Sequence, residues 1–284
     1  MEEGVVDFHT HLGEVKSFSR VVKGWVRAEI GDLLEYMDSE GVEWAVVLSC
    51  PSYHDPFSSI VSNEDLLKTV KPYGGRLVPF CFVDPRWSGA ERYLRELVED
   101  GAKGLGEVKI PLKVSDPRLL KLFKAAENMG LPALIHVEEG PLLRYCHGLS
   151  ELADVLRQLP DLKLVVHGPG WWRAISPKPS AEAYPSGRIE GEGLVHKLLR
   201  RFDNLYADIS AKSGLNALER DPDHARRFLE EFEDRIVYGT DFPCMGDEGQ
   251  FGPSRAHLDF LERLSLPRRT LRKILKGNAE RLVS

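Results

Sequence analysis

A chain of 284 residues can bury a sizeable core, and a single α/β barrel routinely reaches this length. Its formal charge of −6 gives no footprint for a nucleic acid. The four cysteines (Cys50, Cys81, Cys146, Cys244) are scattered, with no C-x-x-C pair for a disulfide framework or a thiolate zinc site. No apolar run nears the roughly 18 residues of a bilayer span, and no signal peptide is visible. These features predict a cytoplasmic protein with neither a nucleic-acid nor a membrane partner; self-association as a homo-oligomer stays open.

The first strand run, Val5–His9, ends in the pair His9 and His11. Side chains two apart in an extended chain share a face, so both imidazoles can point at one spot past the strand end. A long connection, Leu12–Glu29, carries Lys16, Arg20, Lys23 and Arg27. The helix Gly31–Glu40 follows, with Asp32 as N-cap and Gly41 as its stop. Strand Trp44–Ser49 leads to a second long connection, Cys50–Ser62, with Tyr53 and His54. Strand Leu77–Val83 precedes a helix announced by the capping-box pattern Ser88-Gly89-Ala90-Glu91 and closed at Gly101. Strand Gly104–Val108 precedes a helix with Asp116 as cap and Pro117 in its first turn, closed at Gly130. Strand Ala133–Val137 comes before a helix built on Leu152, Val155, Leu156 and Leu159. Strand Leu162–His167 opens a third long connection, Gly168–Glu192, rich in Pro and Gly and bearing Trp171 and Trp172. Helix Leu194–Arg201, strand Leu205–Ile209, helix Ala225–Phe232, strand Ile236–Thr240 and helices Ala256–Leu264 and Arg268–Lys276 complete the chain.

Several strand runs, such as Ala45-Val46-Val47-Leu48 and Leu164-Val165-Val166, are apolar without alternation, the pattern of strands buried on both faces. Eight such strands alternating with about eight helices predict a single-domain (β/α)8 TIM barrel over residues 1–284. A doubly wound open sheet is the competing architecture.

Chemistry-bearing residues fall at the strand ends. Glu107 comes at the end of the fourth run, His136 ends the fifth, His167 ends the sixth and Asp241 follows the eighth. In a parallel barrel those ends share one face, where they join His9 and His11. Lys109, two residues after Glu107, shares its face and is placed either to neutralise Glu107 or to hold a substrate carboxylate. Trp171, Trp172 and His54, on long connections of the same face, are candidate substrate-binding residues. His147, His196, His224 and His257 are expected to face solvent. Cys50 and Cys244 follow strand ends and are expected to be small buried side chains.

Taken in order, these runs resemble the amidohydrolase superfamily of metal-dependent hydrolases, in its amidohydrolase-related (amidohydrolase-2) branch, over nearly the whole chain. The likeness rests on Asp7-Phe8-His9-Thr10-His11, Val83-Asp84-Pro85, Gly104-Leu105-Gly106-Glu107, Leu134-Ile135-His136 and Val165-Val166-His167-Gly168. It continues through Tyr206-Ala207-Asp208, Tyr238-Gly239-Thr240-Asp241-Phe242-Pro243 and Gly277-Asn278-Ala279-Glu280-Arg281-Leu282. The resemblance implies that His9, His11 and Asp241 bind a metal, joined by His136, with His167 as a second-metal ligand or an acid/base. Glu107 lies where many relatives carry a bridging carboxylate, and is taken as a ligand of one ion or of two. Imidazole and carboxylate donors with an open position describe a catalytic site, for zinc first and for manganese, iron or nickel next.

The implied reaction is hydrolysis of a C–O or C–N bond (lactone, ester or amide) in a small carbonyl substrate, with Asp241 moving protons and His167 steadying the oxyanion or donating a proton. Asp7 is expected to orient the strand end or a ligand histidine, and Asp208 to do likewise or simply to hydrogen-bond. The main alternative is a metal-dependent decarboxylase of an aromatic or unsaturated acid, against which Glu107 counts. A TatD-like phosphodiesterase and a non-catalytic metal-binding barrel come behind it.

Overall fold

The computed structural model describes residues 4–16, 24–50, 56–140, 144–243 and 255–284. Within them one sheet holds eight strands: β1 (Val5–Thr10), β2 (Val42–Leu48), β3 (Leu77–Cys81), β4 (Gly104–Val108), β5 (Ala133–His136), β6 (Leu164–His167), β7 (Leu205–Asp208) and β8 (Ile236–Val237). They pair in chain order and every pair is parallel. The chain after β8 then meets β1. Phe8 N–H donates to Tyr238 O at 2.9 Å, Asp241 N–H to His9 O at 2.8 Å and His11 N–H to Phe242 O at 2.8 Å. The sheet thus curls into the predicted TIM barrel, with all eight strand runs where the apolar pattern puts them.

The two faces of each strand bury against different neighbours. Val6, Phe8, Val46, Leu48, Phe80, Leu134, Val165 and Val237 form an inner cluster, joined by Ala279 and Leu282 of helix Asn278–Val283. Their sequence neighbours Val5, Val47, Cys81, Ile135, Val166 and Ile236 belong to the larger cluster shared with the helices. Burial on both faces is why these runs lack polar alternation.

One carboxylate pins the seam between the first and last strands. Asp7, fully buried, accepts from Thr240 N–H at 3.0 Å, Thr240 Oγ1–H at 2.6 Å, Tyr36 O–H at 2.8 Å and His9 N–H at 3.0 Å. Burial raises its pKa to about 6, and the bonds from Thr240, His9 and Tyr36 only partly offset this.

Helix starts differ from expectation in three places. The first helix spans Ile30–Glu40 with Glu29, not Asp32, as N-cap; Asp32 instead accepts the Glu29 N–H from the third helical position at 2.7 Å. The helix Ala90–Glu99 starts at Gly89 with no side-chain cap, so Ser88-Gly89-Ala90-Glu91 is not a capping box. The predicted helix Ala225–Phe232 starts earlier, at Pro222, because Asp221 caps it by accepting from His224 N–H. The last helical stretch also runs past Lys276, through a π turn (Lys273–Gly277), to Val283.

The first two long connections carry a small antiparallel sheet, not bare loop. Gly13–Lys16 lies centrally between Trp25–Ala28 and Ser58–Ile60. Val15, Val26 and Ala28 are buried while Glu14, Lys16, Trp25 and Arg27 face outward. That period of two is a strand signal, but only four residues long and crowded with charge.

Three histidines expected at the surface are buried. His196 and His224 sit with Nε2 atoms 3.0 Å apart on the apolar faces of Leu194–Arg201 and Pro222–Glu231, against Phe228. His257 packs on Tyr238, with Nε2 3.2 Å from Ala211 O. His147 is half-buried, beside Arg144. In each buried case the helical position, one turn from an apolar neighbour, outweighs the polarity of the ring.

Two predictions follow from this packing. Asp7→Ala strips the acceptor from four donors in a dry seam and should cost about 4 kcal/mol in urea unfolding, with Asp7→Asn losing less; a loss under about 1 kcal/mol would refute the role. Burial, then the His224 charge, lowers the His196 pKa to about 4. The unfolded chain, with an ordinary imidazole near 6.5, takes up the proton first. The stabilising difference is therefore full above pH 6.5 and is lost as pH falls toward 4. Melting temperatures of His196→Gln should fall less than wild type over that window.

Candidate metal centre

The carboxyl ends of β1, β4, β5 and β6 and the turn after β8 bring His9, His11, Glu107, His136, His167 and Asp241 to one spot. His9 Nε2 lies 3.0 Å from His11 Nε2. Asp241 Oδ1 is 3.5 Å from the first and 3.4 Å from the second. On the other side, Glu107 Oε1 is 3.0 Å from His136 Nδ1 and 2.7 Å from His167 Nε2. Glu107 Oε2 is 3.4 Å from His11 Nε2, so the two oxygens of this carboxylate face the two donor groups. All six side chains expected at the site are together.

The outer ring nitrogens settle what the inner ones offer. His9 Nδ1 is 2.7 Å from Asp208 Oδ2 and His11 Nδ1 is 2.9 Å from Leu48 O. A carboxylate and a carbonyl only accept, so both Nδ1 atoms carry hydrogen and each neutral ring is left with a lone pair on Nε2. Between neutral rings the two Nε2 atoms, 3.0 Å apart, have no hydrogen to share, so the pair takes up a cation, either a proton or a metal ion in its place. A divalent cation answers them both, and the donors of each group lie within 4.8 Å of one another, so the residues present fit a metal.

Charge is distributed unevenly. Burial pulls the His11 imidazole down, but the bonds to Asp241 and Glu107 outweigh it and bring its pKa up to about 10. His9 is likewise raised: burial pulls it down, and Asp208, Asp241 and Glu107 together outweigh that. His167 moves the opposite way, to about 4, by burial first and then the neighbouring His9 charge. Burial also works against the ionised Glu107, yet the bonds from His11, His136 and His167 hold it well below the ordinary carboxylate range.

Local backbone places the last candidate ligand. Asp241 has φ of +67°, in the left-handed region, and its N–H is tied to His9 O. Its side chain is 21% exposed against 0% for His9 and 5% for Glu107, so it is the acid that meets the mouth. Gly239 runs against His9 and Asp208; a Cβ there would lie 2.8 Å from Asp208 Oδ1 and 2.9 Å from His9 Cβ. The close approach requires glycine.

The other expected residues fare differently. Lys109 is half-buried next to the site: its charge lowers the His136 imidazole, after burial, and its Nζ lies 5.3 Å over the Tyr145 ring. Trp171 and Trp172 are in the hydrophobic core, not on an open pocket wall, because the short helix Pro169–Arg173 turns both rings inward. Trp172 Nε1 donates to Asp208 O at 3.0 Å. Cys50 is buried. His54 and Cys244 lie outside the described residues. Ser210 is the site residue that sequence reasoning missed. It follows the end of β7, so the rule that gathered the other residues would have reached it, but a serine carries no metal-ligand signal.

The chain matches the family model described as amidohydrolase over residues 51–284. No curated protein matches it. Among solved structures, an uncharacterized TIM-barrel protein from Bordetella bronchiseptica is 21% identical, covering 89% of this chain and 82% of its own, with a TM-score of 0.67. A probable 2-pyrone-4,6-dicarboxylic acid hydrolase from Acinetobacter baumannii, with citric acid bound, is 15% identical over 99% of each chain, TM-score 0.65. A 2,6-dihydroxybenzoate decarboxylase from Rhizobium is 17% identical, covering 99% of this chain and 98% of its own, TM-score 0.61. At these identities the likeness is one of fold.

A metal that binds the folded state alone stabilises it by about 2.7 kcal/mol at a hundred times its Kd. Dialysis against a chelator should therefore lower the melting temperature, and zinc, manganese or nickel should restore it. A melting temperature indifferent to chelator and to all three ions would remove the metal centre.

Proposed function

Because the chain belongs to the amidohydrolase family, we propose that it is a metal-dependent hydrolase of a C–O or C–N bond, in a lactone, ester or amide, of a small carbonyl substrate. The observation that carries the reading is Glu107, whose Oε2 faces His11 while its Oε1 faces His136 and His167. His9, His11 and Asp241 would hold one ion, His136 and His167 would hold another, and Glu107 turns an oxygen to each group. Imidazole and carboxylate donors without thiolate suit zinc, with manganese, iron and nickel behind it.

A bound divalent ion supplies a water with its pKa brought from about 16 toward 7 and a polarised substrate carbonyl. The chain's own residues do the rest. Asp241, the most open of the site carboxylates, accepts the proton of the attacking water at a carboxylate oxygen and returns it to the leaving group. His136, 16% exposed, and Lys109 form the wall toward the mouth. Lys109 holds an anionic group of the substrate there, which orients the scissile carbonyl toward Asp241. His167 is 1% exposed and confined behind Glu107, so its part is to hold, not to exchange protons with substrate.

Asp241→Asn, assayed at saturating metal, should leave the fold unchanged while lowering kcat by about 10²-fold or more, the size of a lost general base; retained activity would refute the proton role. Lactones and aromatic acids assayed side by side distinguish base-consuming hydrolysis, the expected result, from release of carbon dioxide, which would make the chain a decarboxylase.

A further inference from the structure

We propose that Asp208 and Ser210 act as one positioning pair that fixes ring orientation and proton placement in two histidines at once, His9 of one donor group and His167 of the other. The inference rests on the metal reading above.

Both residues are fully buried, at and just past the end of β7. Asp208 Oδ2 lies 2.7 Å from His9 Nδ1 and accepts from Ser210 Oγ–H at 2.7 Å, while Asp208 Oδ1 accepts from Ser210 N–H at 2.7 Å. The hydroxyl proton is thereby committed to Asp208, and Ser210 Oγ is left to accept. It lies 3.3 Å from His167 Nδ1 and 3.2 Å from His9 Nδ1. A bond from His167 to such an oxygen needs the hydrogen on Nδ1, which frees Nε2, 2.7 Å from Glu107 Oε1, to bind an ion in place of the hydrogen it otherwise gives that carboxylate. Asp208 thus acts on His9 directly and on His167 through one hydroxyl.

His9, His167 and Asp208 also lie close enough together to suggest a further metal group. His9 meets Asp208 through Nδ1, whose hydrogen that carboxylate accepts, while its Nε2 faces His11, so this group supports the other two. Its own position is fixed: Trp172 Nε1 holds the Asp208 carbonyl at 3.0 Å, and Gly239 leaves the space its carboxylate occupies. The expected substrate-contact tryptophan therefore has a role one step further back.

The test titrates metal-free protein with cobalt(II) alone, following the visible absorption bands that report ligand geometry. Loss of an outer partner of a metal-bound histidine lowers metal affinity about 10- to 100-fold. Ser210→Ala should weaken about tenfold the binding step that His167→Asn abolishes, alter its absorption bands, and leave the other step unchanged. Ser210→Thr, which keeps the hydroxyl, should restore it, and Asp208→Asn should weaken both steps. Superimposable isotherms and spectra for wild type and Ser210→Ala would overturn the inference while leaving the metal reading intact. Equal weakening of both steps by Ser210→Ala, with a lowered melting temperature of the metal-free protein, would also overturn it. Wild type that binds no cobalt(II) would remove the metal reading, and this inference with it.

Discussion

Two imidazole Nε2 atoms held 3.0 Å apart, with carboxylate oxygens 3.4 to 3.5 Å away, make a pocket that holds a cation, a proton on His11 or a metal ion in its place. The arrangement persists because neither ring is able to turn: His9 is bound through Nδ1 to Asp208 and His11 through Nδ1 to the carbonyl of Leu48. Each anchor belongs to a different strand from its histidine, so the barrel itself sets the ring directions. A flexible pair would rotate apart and find other partners. The fold's contribution to the site is to forbid that relaxation.

That rigidity is assembled at the seam where the barrel closes. β8 is short, and the chain after it is tied to β1 through Tyr238, Asp241 and Phe242, with Asp7 bridging Thr240, Tyr36 and His9 beneath them. The same backbone bond that closes the barrel, Asp241 N–H to His9 O, sets the distance between two candidate ligands. Stability and site geometry are therefore one interaction here. The left-handed conformation of Asp241 fits this view, since backbone strain is sustained only where the surroundings over-determine it.

The barrel and the six converging side chains were readable because both follow from position along a strand. Apolar runs buried on both faces mark where strands lie, and parallel strands send every carboxyl end to one rim, so His136 and Asp241 needed no local motif to be placed together. What escaped depends on direction rather than position. Trp171 and Trp172 follow a strand end as a pocket residue would, but a single helical turn rotated them into the core. His196, His224 and His257 were assigned to the surface by polarity, and the apolar helix faces decided otherwise. Ser210 was invisible because its importance lies in a hydrogen already committed to Asp208. The short sheet between β1 and β2 failed for another reason: four-residue strands with exposed Glu14, Lys16 and Arg27 read as charged loop.

Exposure divides the site into a back and a front. His9 and His167 are shut off at 0% and 1%, while His136 and Asp241 remain open at 16% and 21%. Glu107 lies between them, with an oxygen toward each donor group. A small molecule entering from the mouth therefore meets an imidazole on one flank and a carboxylate on the other, with the Lys109 charge beyond His136. In the proposed reaction this polarity sets the order of events across the site: the anionic end of the substrate seats toward Lys109, and the bond to be broken lies toward Asp241, where a proton can be taken and returned. The opposed shifts of His11 and His167, one up to about 10 and the other down to about 4, belong to the same division. Glu107 and Asp241 both face His11, whereas His167 shares Glu107 with His136 and lies beside the charge of His9. An extra cation in this space is answered by the most negative charge on the His11 side, and that is the side on which Asp241 is open to substrate.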